Sequence, residues 1–311
     1  MIRTPFTTSR HLCGAAALAA LSACAPEPVA PDLRGPALEG LYADTARAIE
    51  NAGGLRTDAT PSDAPLSLSL LTRNFADIAF VSEFSQTGRR PEQTAAAIPL
   101  TRWEGPVRVG VIFGESVAED QRADDMAEVQ DLLRRYRRLT GLDIRYVPDG
   151  EINFLVLVLA RDEQRAMAQR IRAQEDLPVQ VAVDLENSPP ALLCSASVFG
   201  PDRRNGGIAV AVALIKAEHR GILRRSCFHE EMTQALGLLN DSPTVRPSIF
   251  NDDEEFALLT THDEILLRML YDRRLRAGIT LQQARPLLPA IARDAARASG
   301  ARLVTDPASG S

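Results

Sequence analysis

Long apolar runs, cofactor-binding turns and cysteines are all scarce in this sequence of 311 residues, and each scarcity narrows what the protein can be. No apolar run reaches the roughly 18 to 20 residues that a membrane-spanning helix needs, so the body is expected to be water-soluble. There is no G-x-G-x-x-G turn, no P-loop and no serine nucleophile elbow, and the pair Gly206-Gly207 reads as a hairpin turn. No redox or nucleotide cofactor is therefore expected. Basic residues are outnumbered 35 to 41, giving a net charge of −6. Such an acidic chain is a poor partner for nucleic acid or for an anionic membrane surface. There is no internal repeat.

The start of the chain is more informative. Arg3 and Arg10 stand without an acid, residues 12–21 are apolar, and Leu21-Ser22-Ala23-Cys24 sets small residues before a cysteine. An apolar segment that short suits a secretory signal rather than a membrane span. Residues 1–23 are expected to be a lipoprotein signal peptide, with Cys24 acylated by fatty acid such as palmitate and left as the mature N-terminus. Ala25 after the cysteine, where Asp would retain the protein at the inner membrane, resembles enterobacterial lipoproteins of the outer membrane. The expected location is the periplasmic face of the cell envelope, with the membrane as a partner through the lipid on Cys24. Loss of Arg3 and Arg10 takes the net charge to −8. Of four cysteines, Cys13 leaves with the signal and Cys24 is acylated, so Cys194 and Cys227 are the expected disulfide of an oxidising compartment. Closing that loop is worth roughly 3 to 4 kcal/mol in the chain-entropy account, the alternative being two buried thiols.

Residues 24–40 are dense in proline and polar residues and read as a flexible tether. An N-terminal helical segment is expected over 41–100, with helices at 41–52 and around Leu70, Leu71, Phe75, Ile78 and Ala79, then a break at 88–99. The main domain is expected over 101–297, before a flexible tail at 298–311. In it, 107–113, 144–147, 152–159, 179–183, 192–198 and 208–215 read as strands, the third apolar enough for the middle of a sheet. Helices are expected at 117–139, whose basic end suits a helix C-terminus, and at 163–174, 227–238, 263–271 and 281–297. Strands first and mainly helices afterwards give the α+β class.

The stretch Cys227-Phe-His-Glu-Glu-Met-Thr-Gln-Ala-Leu-Gly-Leu-Leu-Asn-Asp241 carries the functional argument, because a helix bearing His and Glu is similar to the HExxH zinc motif. In one register His229-Glu230 supplies the first two letters, but Thr233 takes the fifth place and is not a usual zinc ligand. One residue on, Glu230-Glu231-x-x-Gln234-x-x-Gly237-x-x-Asn240 keeps the spacing of HExxHxxGxxH. Further along, Ser248-Ile-Phe250 stands in the place of a Met-turn, and Leu259-Thr-x-x-Asp263 begins a helix that closes with Leu270-Tyr271. In this order the elements resemble the end of a matrixin-type metzincin. The region from Trp103 to Tyr271 also resembles a family of proteobacterial lipoproteins known as domain of unknown function 2927, which share the HEE-x-x-Q-A-L-G and S-I-F-N-D signatures.

The resemblance implies a zincin-like, metzincin-type fold: a twisted mixed sheet, an active-site-type helix and C-terminal helices. It places Glu230 and Gln234 where two imidazoles would grip a metal, Glu231 where the general base would stand, and Asn240 or Asp241 where a third ligand would arrive. Positions i and i+4 of a helix point the same way, so the first pair is geometrically sound. The chemistry is not that of a zinc hydrolase, since catalytic zinc takes imidazole nitrogen from most ligands and this set offers only oxygen. A hard divalent cation would suit it better. Two functions follow as expectations. The first is a catalytically silent zincin-like lipoprotein that binds an envelope protein or peptide. The second is a metal-dependent, peptidase-like hydrolase in which Glu231 activates water and His229 or His262 is recruited nearby. Each residue also has a plain structural role open to it: Ser226 as an N-cap, Gly237 as a C-terminal cap, Thr260-x-x-Asp263 as a capping box, and 251–255 as a solvated acidic loop.

Overall fold

The run FLVLVL forms a strand, β5 (Phe154–Leu159), in which all six side chains are buried. A strand covered on both faces belongs inside a sheet, and a computed structural model of the protein, which describes residues 33–85, 92–174, 177–201 and 205–306, places it there. The signal segment and Cys24 lie outside the described residues. Around β5 stand β3 (Val107–Phe113), β4 (Ile144–Tyr146), β6 (Cys194–Phe199) and β7 (Val210–Lys216), in the order β4-β3-β5-β7-β6. All neighbours run parallel except β6, which is antiparallel to β7 and forms one edge. β1 (Val81–Ser85) and β2 (Glu92–Ala97) make a separate antiparallel pair.

Period-two alternation sends successive side chains of the sheet to opposite faces. Leu155, Leu157, Val212 and Leu214 pack against α4 (Arg161–Gln174) and α5 (Val179–Asn187) through Met167, Ile171, Val181 and Leu185. Val156, Val158, Ala213 and Ile215 face α3 (Glu119–Thr140) and α6 (Gly221–Gln234) in the main core. The same core takes in α2 (Leu68–Ala79), α7 (Thr261–Leu270), α8 (Leu281–Ala284) and α9 (Leu288–Ala298). The molecule is thus a mixed α+β fold around a mostly parallel sheet, as the class read from the sequence requires. Among the described residues no helix is long and apolar enough to cross a membrane.

Several local expectations need correction. α1 (Gly35–Asn51) begins inside the stretch read as tether, with Leu38 and Tyr42 buried. The tail read as flexible from 298 is held as far as Asp306: Val304 N–H donates to the Leu66 carbonyl, and Asp306 accepts from the Ser69 N–H. The break expected at 88–99 contains β2. Residues 179–183 are the first half of α5, not a strand. Its buried positions Val181, Ala182 and Leu185 follow helical spacing, and docking on the sheet outweighs the valine-rich alternation. α6 starts at Gly221 rather than at Cys227, because Gly221 takes φ +57°, which a residue without a Cβ adopts freely; Ser226 therefore lies mid-helix and is no cap.

Candidate functional site

α6 leaves the sheet directly after β7 and runs back through the core. From Ser226 to Leu238, the end of α6 and the turn after it, every residue is buried but two: Glu230 and Gln234 are half-buried. These are the i and i+4 positions that the motif spacing singles out. Asp241 lies beside the second of them, since Gln234 Nε2 donates to Asp241 Oδ2 at 3.3 Å. The two alternatives for a third position stand apart in the structure, with Asp241 beside Gln234. Asn240 is 8 % exposed and turned away, its Nδ2 donating to the Asp77 carbonyl of α2 at 3.1 Å. Glu231, read as the candidate base, is 4 % exposed and lies on the side of α6 that faces the start of β6.

The geometry of the turn after α6 explains other letters of the signature. Gly237 has φ +117°, and a Cβ there would stand 2.0 Å from the Thr101 carbonyl oxygen, so only glycine fits. The last carbonyls of the helix are taken by the Trp103 indole, donating to Ala235 O at 2.9 Å, and by the Tyr271 hydroxyl, donating to Leu236 O at 2.8 Å. Trp103 and Tyr271, the ends of the resembling region, thus meet over one helix terminus.

Neither candidate histidine is available to the strip. Leu259 N–H donates to His229 Nδ1 at 2.9 Å, so the ring carries its proton on Nε2 and donates it to Glu128 Oε1 at 2.7 Å. Burial holds His229 below its ordinary pKa, while its hydrogen bond and Arg225 pull Glu128 down to about 2. His262 is fully buried, with Nε2 accepting from Asn74 Nδ2 at 3.0 Å and Nδ1 facing Asp263 Oδ1 at 3.4 Å. The expected recruitment of either histidine is therefore corrected: both have structural partners on both ring nitrogens.

Asp263 is the centre of a second, wholly internal arrangement. Its carboxylate accepts from Ser248 Oγ at 2.6 Å, from Thr260 N at 2.9 Å and from Ile249 N at 3.2 Å, and the Thr260 hydroxyl lies 2.9 Å away. Thr260 and Asp263 form the expected capping box of α7. The acidic run is likewise structural in part: Glu255 pairs with Arg56 and Arg246, while burial and nearby Asp252 raise Glu254 to about 7.

Cys194 and Cys227 are joined as a disulfide, with Cα atoms 5.7 Å apart, as the cysteine count predicts. The bond ties the first residue of β6 to α6, one turn before Glu230. Sequence reasoning did not find what fixes the approach to β6. Lys216, 2 % exposed, donates to the carbonyls of Pro189 and Leu192 and to the Tyr42 hydroxyl, and His219 Nε2 lies 2.7 Å from the Leu193 carbonyl. Burial lowers the lysine to about 8 and the histidine to about 4. No motif marks these residues; their sole signal is polarity at the end of an apolar strand. The outer edge of β6 forms no backbone hydrogen bond with another element among the described residues. A groove of about 550 Å³, lined by Leu68, Thr72, Arg73, Leu281, Arg285 and Leu288 among others, lies between α2 and α8–α9 and contains none of the candidate residues.

These observations define a mixed α+β protein in which two half-buried polar residues, Glu230 and Gln234, interrupt a buried run of α6, and a disulfide ties that helix to the edge strand β6. The profile of the family described as Protein of unknown function (DUF2927) matches residues 69–290, and the chain belongs to that family. Among curated proteins none matches it.

Proposed function

We propose that the chain is a lipid-anchored protein of the bacterial envelope whose zincin-like body binds an envelope protein or peptide without cutting it. The observation that carries this reading is the composition of the strip. Glu230 and Gln234 keep the i and i+4 register of a metal-binding helix and Asp241 is hydrogen-bonded to Gln234, yet both candidate histidines are held by other partners on both ring nitrogens. Zinc in a hydrolase needs such ligands, so these residues do not fit it, and no reaction step is derived through a metal. The open edge of β6 supports a binding role, because unpaired strand edges accept an added strand through main-chain hydrogen bonds. The disulfide and the Leu21-Ser22-Ala23-Cys24 sequence agree with an oxidising, membrane-attached setting.

Metal analysis by mass spectrometry tests the reading on the full chain, purified in detergent without chelator and with its disulfide intact. The expected result is no stoichiometric metal in the parent or in Glu230→Ala and Gln234→Ala. A photo-crosslinker at Ser195 on β6 should give one discrete envelope adduct, and one at Arg134 on α3 none. Cys24→Ser should end fatty-acid labelling and release the chain from the membrane fraction. One equivalent of metal lost in both alanine variants, with peptide cleavage abolished by Glu231→Gln, would replace this reading by the oxygen-liganded hydrolase.

A further inference from the structure

Cys227, Glu230 and Glu231 occupy positions i, i+3 and i+4 of α6, which share one helix face. That face meets Cys194 of β6, where the Cys194 sulfur and one oxygen from each carboxylate lie within 4.8 Å of one another. The second sulfur, from Cys227, is bonded to the first. A tetrahedral zinc with sulfur at about 2.3 Å and oxygen at about 2.1 Å sets its ligand atoms about 3.4 to 3.8 Å apart. Side-chain shifts of about 1 Å would therefore close the cluster around an ion.

We propose that reduction of the Cys194–Cys227 disulfide opens a zinc site made of two thiolates and the carboxylates of Glu230 and Glu231. A dithiol donor attacks one sulfur to form a mixed disulfide, and its second thiol then closes the donor's own disulfide. Two electrons and two protons pass to Cys194 and Cys227. On metal binding the two thiol protons leave to solvent, because the thiolate is the ligand. While the disulfide stands, its sulfurs are poor ligands, and the two carboxylates alone do not make a closed zinc site. Sulfur selects zinc over the hard cations that oxygen sets prefer. The site uses neither Gln234 nor Asp241 and does not depend on the binding role proposed above.

Cobalt and zinc titrations of the full chain in detergent decide the matter, before and after reduction with a phosphine that is then removed without oxygen. The reduced chain should take up one Co²⁺ with sulfur-to-cobalt charge-transfer absorption, displaced by one Zn²⁺, and the oxidised chain should show neither. Glu230→Gln and Glu231→Gln keep both thiols and should weaken zinc at least about tenfold. Gln234→Ala should leave affinity unchanged, which separates this site from the metzincin register. The double variant Cys194→Ser with Cys227→Ser should fold and show no band. Absence of the band after reduction, equal binding by the oxidised chain, or affinity indifferent to both glutamine variants would overturn the proposal. So would a reduced chain that has lost its cooperative unfolding transition.

Discussion

The two signatures of this chain are used in opposite ways. At Ser248, Thr260 and Asp263 the polar residues point inward, are fully buried and bond to one another, so their identities are explained without any ligand. At Glu230 and Gln234 the polar residues are the half-buried positions of the run 226–234, whose other residues are buried. An interior carboxylate with several donors is a fixed structural acceptor, and replacing it strands each donor. The contrast teaches that a degenerate motif should be judged by which of its letters the fold itself consumes. His229, Gly237 and Asn240 are consumed by partners inside the fold, whereas Glu230 and Gln234 are the half-buried positions of the run 226–238.

The contrast would break if Asp263 proved dispensable. Asp263→Ala leaves the Ser248 hydroxyl and two buried N–H groups without their acceptor, at about 1 to 3 kcal/mol each with partial relaxation. Loss of about 3 to 5 kcal/mol is expected, read from urea unfolding of the variant beside the parent. A loss below about 1 kcal/mol would mean that the inward network is ornamental. Next in size stands the disulfide. Cys194→Ser with Cys227→Ser frees a loop of sequence separation 33 and should cost about 3 to 4 kcal/mol, seen as a lower urea midpoint. An unchanged midpoint would show that Lys216 and His219 alone hold the start of β6.

Much of the inward side was legible in the sequence. The alternating and all-apolar runs located β3 and β5, the basic end before Gly141 located the close of α3, and Thr260-x-x-Asp263 announced its own cap. Legibility failed where distant segments decide. Val179 to Val183 alternate like a strand, but the covering of the second sheet face makes them helical. The partners of His229 come from Glu128 and Leu259, far away in the chain, so its neutral, inward state could not be read from the motif. For the same reason Asn240 and Asp241 could not be told apart before the turn after Gly237 was seen.

The state of His229 gives a pH test of intermediate size. Its folded pKa lies below the ordinary value, so the unfolded chain binds a proton that the folded chain refuses as the pH falls below about 6.5. Stability contributed here is complete above that pH and declines on acidification, with a slope of up to about 1.4 kcal/mol per pH unit. Glu128, held down to about 2, adds a second decline below about 4.5, the ordinary glutamate region. Glu254, raised to about 7, has the opposite sign: its contribution is lost as the pH rises through that value. Subtracting the profile of His229→Gln from that of the parent isolates the first decline. Parallel profiles between pH 5 and 6.5 would mean that His229 protonates freely in the folded state and belongs with the outward residues after all.

The smallest expected effect sharpens the comparison most. Glu230→Ala and Gln234→Ala remove half-buried side chains that form neither the caps nor the disulfide of α6. Alanine is a better helix former than either residue, by a few tenths of a kcal/mol. Surface changes of this kind stay within about 0.5 kcal/mol of the parent, and thermal or urea midpoints should scarcely move. If both substitutions are silent in stability yet abolish the crosslinked adduct from Ser195, the outward strip is a contact surface. If either one destabilises the fold by more than about 2 kcal/mol, the strip is as structural as Asp263, and the division drawn between the two signatures falls.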